Sequence, residues 1–322
     1  MNSSLLVDWT PSQYQRLEHD ILLAQHRLHE SPLFSNEGLV RLLDTHPADC
    51  LHVNTMGYDH RDFQWQEGDR NGVPGEVLLD LVQRGRLWIN LRNLMQHQPV
   101  YRNLINELFD SLERCNSRFK AHFRSANLLI SSPGALVHYH VDIPVNMLWH
   151  LRGIKRVWVY PPFDFRFVSQ DVLERVFSGD YAEDVPYFEW FDEHAQVFDV
   201  RPGQMLTWPQ NTPHRVTNQE GLNVSLSTEH RNPMATRRIN VHLANQWLRN
   251  RLGKPSRGVE VSGPWAHLKE NLIRGVRYAT AWQQKPKARF VYPKTFRVNP
   301  DAPLGFSPLT PQPAERDLVG AL

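Results

Sequence analysis

The chain has little cysteine: Cys50 and Cys115 are the only two in 322 residues. They lie far apart and match no metal or redox spacing, which excludes a disulfide scaffold and a thiolate cluster. Long apolar runs are missing as well, and none approaches the roughly 20 residues that a membrane span requires. The opening Met1-Asn2-Ser3-Ser4-Leu5-Leu6-Val7-Asp8 has neither the basic start nor the apolar run of a secretory signal. A soluble, cytoplasmic protein with reduced thiols is therefore expected. No internal repeat is present, and the length suffices for one large core, or one core with a smaller appendage.

A strong overall charge is also absent, the net value being +2. The balance hides an asymmetry. Residues 231–297 hold 15 Lys or Arg against Glu260 and Glu270, a local +13 that leaves −11 for the remainder. Between Val159 and Asp199 there are ten acids and only two arginines, Arg166 and Arg175. Pairing of the basic segment with the acidic one, within a chain or across a homodimer, is the favoured expectation. Recruitment of a nucleic acid is the alternative.

Periodicity divides the chain into three parts. Residues 1–120 read as a mainly helical region with short strands. A helix is expected from Pro11 to about Glu30, where Leu17, Ile21, Leu22 and Leu28 recur at helical spacing behind a first-turn proline. Others are expected at Asn36–Asp44, Gly75–Gln83 and Pro99 to about Arg118, with short strands at Leu51–Asn54 and Leu87–Leu91. Residues 121–232 switch to short strands punctuated by Pro, Gly and Asn: Asn127–Ser131, Leu136–Asp142, Asn146–Arg152, Lys155–Tyr160, Gln204–Trp208 and Leu222–Thr228. That pattern implies a jelly roll or cupin-type barrel, with an insert at 163–198. Residues 233–322 should form two helices, one with Ile239, Leu243, Trp247 and Leu248 on a face, the other with Trp265, Leu268, Leu272 and Val276. A Pro/Lys/Arg-rich tail follows Gln284, and the last 25 or so residues are expected to be an arm or disordered.

The chemistry-bearing stretch is His138-Tyr139-His140-Val141-Asp142, followed 72 residues after Asp142 by His214. Alternate side chains of a strand share a face, so His140 and Asp142 point the same way without a turn. Two imidazoles and one carboxylate are the donor set that holds ferrous iron with positions open for substrate and dioxygen. Gly203, Pro209, His214 and Asn218 fall at the spacing of the second cupin motif, with Asn211 where that motif has its second glycine. Asparagine tolerates the left-handed dihedrals such a turn needs. On the last strand Asn223, Ser225, Ser227 and Glu229 share a polar face, which suits the inside of a barrel mouth.

In Asn127–Gly134 and Asn146–Pro162 the sequence resembles the JmjC family, especially its asparaginyl-hydroxylase-like branch. The resemblance rests on Asn146 six residues after His140, on the Gly153-Ile154-Lys155 turn and on Tyr160-Pro161-Pro162. It implies a mainly β, double-stranded β-helix fold with helical flanks. It also implies Fe(II) held by His140, Asp142 and His214, and 2-oxoglutarate anchored by Lys155, with Asn146 and Ser227 beside it. Two positions depart from the family pattern: Val137 stands where members often place a threonine, and Ser227 where they have an asparagine. A buried cation is needed in any case, because a cosubstrate that chelates iron carries its far carboxylate inward. Arg215 lies too near the distal histidine and Arg231 too far.

The expected function is a 2-oxoglutarate-dependent dioxygenase that hydroxylates a C–H bond of a protein side chain or small molecule. Two rivals stay open at this point. One is a cupin metalloenzyme with His138, His140 and His214 as a three-histidine site, although Pro144 and Val145 occupy the places of the glutamate that such sites use. The other is a cupin-fold regulatory protein whose basic region binds nucleic acid.

Overall fold

The computed structural model describes residues 5–61, 64–254, 256–280 and 293–309. Its strands are β1 (Leu6–Val7), β2 (Leu22–His26), β3 (Leu51–Thr55), β4 (Gln66–Asp69), β5 (Trp88–Leu91), β6 (His122–Ser131), β7 (Leu136–His140), β8 (Val145–Val159), β9 (Gln196–Val200), β10 (Gln204–Thr207), β11 (His214–Arg231), β12 (Lys294–Val298) and β13 (Phe306–Pro308). Its helices are α1 (Pro11–Arg16), α2 (Asn36–Thr45), α3 (Gly75–Arg84), α4 (Leu94–His97), α5 (Pro99–Cys115), α6 (Gln170–Ser178), α7 (Pro233–Leu252) and α8 (Pro264–Thr280). None of the described helices is long and apolar enough to cross a membrane.

The strands run in the order β1-β2-β10-β8-β11-β6-β5-β3-β4-β12-β13, with β7 also on β11 and β9 also on β8. Two long strands turn this single network into a folded-over, two-layer barrel. The first half of β8, to Arg152, pairs with the second half of β11 and with β10; its second half, from Ile154, pairs with the first half of β11 and with β9. Register slips in β11 between Asn218 and Ser225 mark the bend. Gly153 sits at the matching bend in β8 with φ +79°, where a Cβ would lie 2.6 Å from Asn223 Nδ2. Only glycine meets both demands. The fold is thus mainly β with helical flanks.

Of four apolar clusters among the described residues, the two largest hold the barrel against its flanks. In the larger, Leu39, Leu42, Leu81, Leu108 and Leu112 of α2, α3 and α5 join Ile89, Leu128, Ile130 and Leu226 of the sheet. In the other, Tyr139, Tyr160, Phe167 and Phe191 fasten the insert to Ile239 and Leu243 of α7.

Several elements differ from expectation. The helix expected to Glu30 ends at Arg16, and Glu18 takes a left-handed φ of 71°. Leu22, Ala24 and His26 are then buried in alternation with exposed neighbours, as a strand hydrogen-bonded between β1 and β10. Leu17, Leu22 and Leu28, with Ile21 the one β-branched residue among them, fit either period, so spacing alone could not separate helix from strand. The strands expected at Asn146–Arg152 and Lys155–Tyr160 are one strand, bent at the glycine. The strand β9 went unanticipated because its edge position leaves most of it exposed, with no apolar alternation to detect. On α8 the buried face is Ala266, Glu270 and Ile273, while Trp265 and Leu268 are 72% and 57% exposed. The expected C-terminal arm is ordered in part: β12 lies parallel to β4 and β13 pairs with β12. Residues 281–292, with most of the Pro/Lys/Arg-rich stretch, and residues 310–322 lie outside the described residues.

The charge asymmetry has a partial intramolecular answer. Arg249 of α7 bonds the fully buried Glu174 carboxylate of α6 and also reaches Asp171 at 3.2 Å; Arg257 reaches the same Asp171 at 3.3 Å. Breaking a buried pair leaves the remaining charge unsolvated. Arg249→Met is therefore expected to destabilise the protein by roughly 3–5 kcal/mol, read as a lower midpoint of urea unfolding. A midpoint equal to that of the parent would assign the stability of this junction to apolar packing alone.

Candidate metal centre

The end of β7 and the start of β11 are bonded neighbours, and His140 and His214 are register partners across them. Asp142 follows β7 by two residues. The turn that delivers His214 contains Asn211 at φ 62°, the left-handed value its place in the motif requires. Its Nδ2 donates to the backbone oxygen of Asp142 at 2.7 Å, so the two metal-bearing stretches are tied together before any metal binds.

One donor atom each from His140, Asp142 and His214 come within 4.8 Å of one another. The imidazoles are pre-oriented. His140 Nδ1 lies 2.7 Å from the carbonyl oxygen of His138, and His214 Nδ1 lies 3.1 Å from that of Thr212. A carbonyl can only accept, so each Nδ1 carries the proton and each Nε2 keeps its lone pair for the centre. His214 Nε2 stands 3.6 Å from Asp142 Oδ2. Burial pushes the Asp142 carboxyl up, and burial followed by the nearby His140 pushes His214 well below its usual range. A divalent cation would reverse the cost for the carboxylate and suit two neutral imidazoles. The residues present therefore fit the metal that the sequence implied.

Asn146 meets the triad as an orienting group: its Nδ2 donates to Asp142 Oδ2 at 3.0 Å, and its Oδ1 accepts from Ser227 Oγ at 3.1 Å. Outer partners of this kind typically carry a factor of roughly 10–100 in metal affinity. Asn146→Ala should weaken iron binding by about that factor, measured by competition with a coloured chelator. An unchanged constant would reduce Asn146 to a packing role.

Lys155 lies deeper, only 3% exposed. Its Nζ donates to Asn218 Oδ1 at 2.8 Å, and Asn218 in turn donates to Ser131 Oγ at 2.7 Å and to the carbonyl of Ser132 at 2.8 Å. Burial pushes the ammonium down to about 7, and no carboxylate contributes to its surroundings. All six residues singled out from the sequence, His140, Asp142, His214, Lys155, Asn146 and Ser227, line one cavity of about 380 Å³. His138 lines it too, but is not in the donor cluster; its Nδ1 faces the carbonyl of His60 at 3.2 Å.

Two residues escaped sequence reasoning, Asn218 beside the lysine and Glu183 in the cavity lining. Asn218 was visible as the last position of the motif, with nothing to indicate that it holds the lysine. Glu183, from the insert, and Glu229, at the end of β11, bring two more carboxylates to the lining. Although solvent reaches Glu183, burial and then the neighbouring Asp142 and Glu229 push it up to about 8. No linear spacing connects Glu183 to the metal motifs, whereas strand alternation had already put Glu229 on the polar face with Ser227.

Residues 76–235 match the model of the cupin-like domain. No curated protein sequence matches the chain. Among solved structures, ycfD of Escherichia coli is 15% identical over 89% of this chain and 70% of its own, with a TM-score of 0.48. The Escherichia coli ribosomal oxygenase YcfD in complex with cobalt and 2-oxoglutarate is 16% identical over 87% and 68%, with a TM-score of 0.47. The oxalate decarboxylase formate complex of Lactobacillus farciminis is 12% identical over 37% and 27%, with a TM-score of 0.24.

Proposed function

Residues 76–235 form a cupin-like domain, and from that premise we propose that the protein is an iron(II)- and 2-oxoglutarate-dependent oxygenase that hydroxylates a C–H bond. The observation that carries this reading is Lys155. A fully buried ammonium whose one partner among the described residues is a neutral amide is a costly arrangement, and it shares its cavity with an open two-histidine, one-carboxylate donor set.

His140, Asp142 and His214 would hold the metal through one Nε2, one carboxylate oxygen and one Nε2. Asn146 and Ser227 keep Asp142 aimed at it. Lys155 would bind the inward carboxylate of the cosubstrate, with Asn218 fixing its Nζ against the strand. A bound ferrous iron would supply the redox centre at which dioxygen takes two electrons from 2-oxoglutarate, which becomes succinate and carbon dioxide, and two from the substrate C–H bond, with one oxygen atom entering each product. The insert reaches the cavity through Glu183 and Asp184, so the substrate would enter beside it. Its class, protein side chain or small molecule, follows from neither the metal nor the lysine. The three-histidine alternative loses ground because His138 lies outside the donor cluster.

The test is anaerobic loading with ferrous iron, followed by 2-oxoglutarate and oxygen without any further substrate. Slow, iron-dependent succinate formation is expected, as uncoupled turnover. A loaded protein that neither binds nor consumes 2-oxoglutarate would sink the proposal.

A further inference from the structure

A second cavity, of about 240 Å³, lies on the other side of the turn that delivers His214. Its walls are apolar: Phe163, Phe165, Val168 and Leu173 from the insert, and Val259 and Val261 from the segment between α7 and α8. Three polar groups in the lining are left short of partners: Arg238, Asn211 and His242, whose Nδ1 makes no hydrogen bond and lies 3.8 Å from the Glu174 carboxylate. The Arg238 guanidinium reaches only the neutral Gln210 Oε1, at 3.2 Å, and lies over the Phe163 ring at 4.2 Å. No ion pair satisfies it among the described residues, and burial pushes it down to about 10. Asn211 is buried, and its Oδ1 accepts no hydrogen bond, while its Nδ2 holds the backbone of Asp142. Of the acids in the lining, Asp164 is engaged by Arg166 at 2.6 Å, and Glu260 is exposed, making no ion pair with Arg238.

An uncompensated cation wants an anion, an orphaned buried acceptor wants a donor, and apolar walls want an apolar body. A dry apolar cavity of about 150 Å³ already accepts benzene, so this one has room for a ring and a carboxylate. We propose that it is a second ligand site, separate from the metal centre, for a small carboxylate with an aromatic or short aliphatic body and a hydroxyl or N–H donor. The carboxylate pairs with Arg238 and the donor with Asn211 Oδ1. Because the same Asn211 side chain bonds the backbone of Asp142, occupancy is felt at the metal site. The site goes beyond the oxygenase reading and does not depend on it.

The test uses the full chain without metal, titrated calorimetrically with 4-hydroxyphenylacetate, 4-hydroxybenzoate and 4-hydroxybutanoate. At least one probe should bind with one equivalent. Arg238→Gln should weaken it by roughly tenfold to a hundredfold, the usual worth of a charged hydrogen bond. Lys155→Met, which removes the buried cation of the metal cavity, should bind as the parent does. Val261→Trp, which fills the cavity and leaves Arg238 in place, should abolish binding, and it decides the matter if Arg238→Gln does not fold. The proposal is overturned if no probe binds saturably, if binding survives Val261→Trp, or if Lys155→Met removes binding that Arg238→Gln spares. That last outcome would put the probe in the metal cavity.

Discussion

Asp142→Ala is expected to bring iron binding from one equivalent to a trace while leaving the chain folded. The substitution removes the only anionic donor of the cluster, and two neutral imidazoles hold ferrous iron poorly. The sign of the accompanying stability change is also set. In the metal-free protein burial raises the Asp142 carboxyl above its unfolded value. The folded state then binds more protons than the unfolded one, and the ionised carboxylate opposes folding once pH has passed the unfolded value. Metal-free Asp142→Ala should therefore unfold at the same temperature as the metal-free parent or higher at neutral pH. The rise in Tm that iron confers on the parent, by binding the folded state alone, should vanish. Unchanged iron stoichiometry in Asp142→Ala, with loss in His138→Ala, would transfer the site to the three-histidine arrangement.

Lys155→Met should raise the apparent KM for 2-oxoglutarate by a factor of roughly 10²–10⁴ with little change in iron affinity. A buried carboxylate deprived of its partner loses about 3–5 kcal/mol, whereas the metal donors do not touch the lysine. The lysine also predicts a proton signature. Its folded-state value near 7 lies below the unfolded one because burial disfavours the ammonium. An arriving carboxylate restores the charged form. Above about pH 7 and below the ordinary lysine range, binding should take up a proton, and affinity should fall as pH rises. Calorimetry in two mildly alkaline buffers of different ionisation enthalpy would detect the uptake, and the methionine variant should show none. Proton uptake that persists in that variant would place the titrating group elsewhere, with Glu183 the next to examine.

The helices α2, α3 and α5 and the strands around the metal were legible because their apolar positions follow one period and their ends carry Pro, Gly or Asn. The segment from Leu17 to Leu28 was not, since its leucines satisfy a helical spacing while the residues that decide its state lie nearly 180 positions away, in β10. The outward turn of Trp265 and Leu268 on α8 was equally hidden. Which stripe of a helix is buried depends on what it packs against, and α7 offers its contacts to Ala266, Glu270 and Ile273.

For the site, the donor types and their spacing were determined by local chemistry. A strand places His140 and Asp142 on one face by its own pleat, and a left-handed turn at Asn211 sends His214 onto the next strand, so neither needs long-range information. The identity of Lys155 as the cation to watch was likewise readable from its position after the Gly153 turn. What only the tertiary structure decided is everything that depends on closure of the barrel. Closure carries Asn218 to the lysine, brings Glu183 of the insert to the metal cavity and leaves Arg238 beside apolar walls without a counter-ion among the described residues. These placements arise from strand register and sheet curvature, which are set by the sum of many weak contacts far apart in the chain.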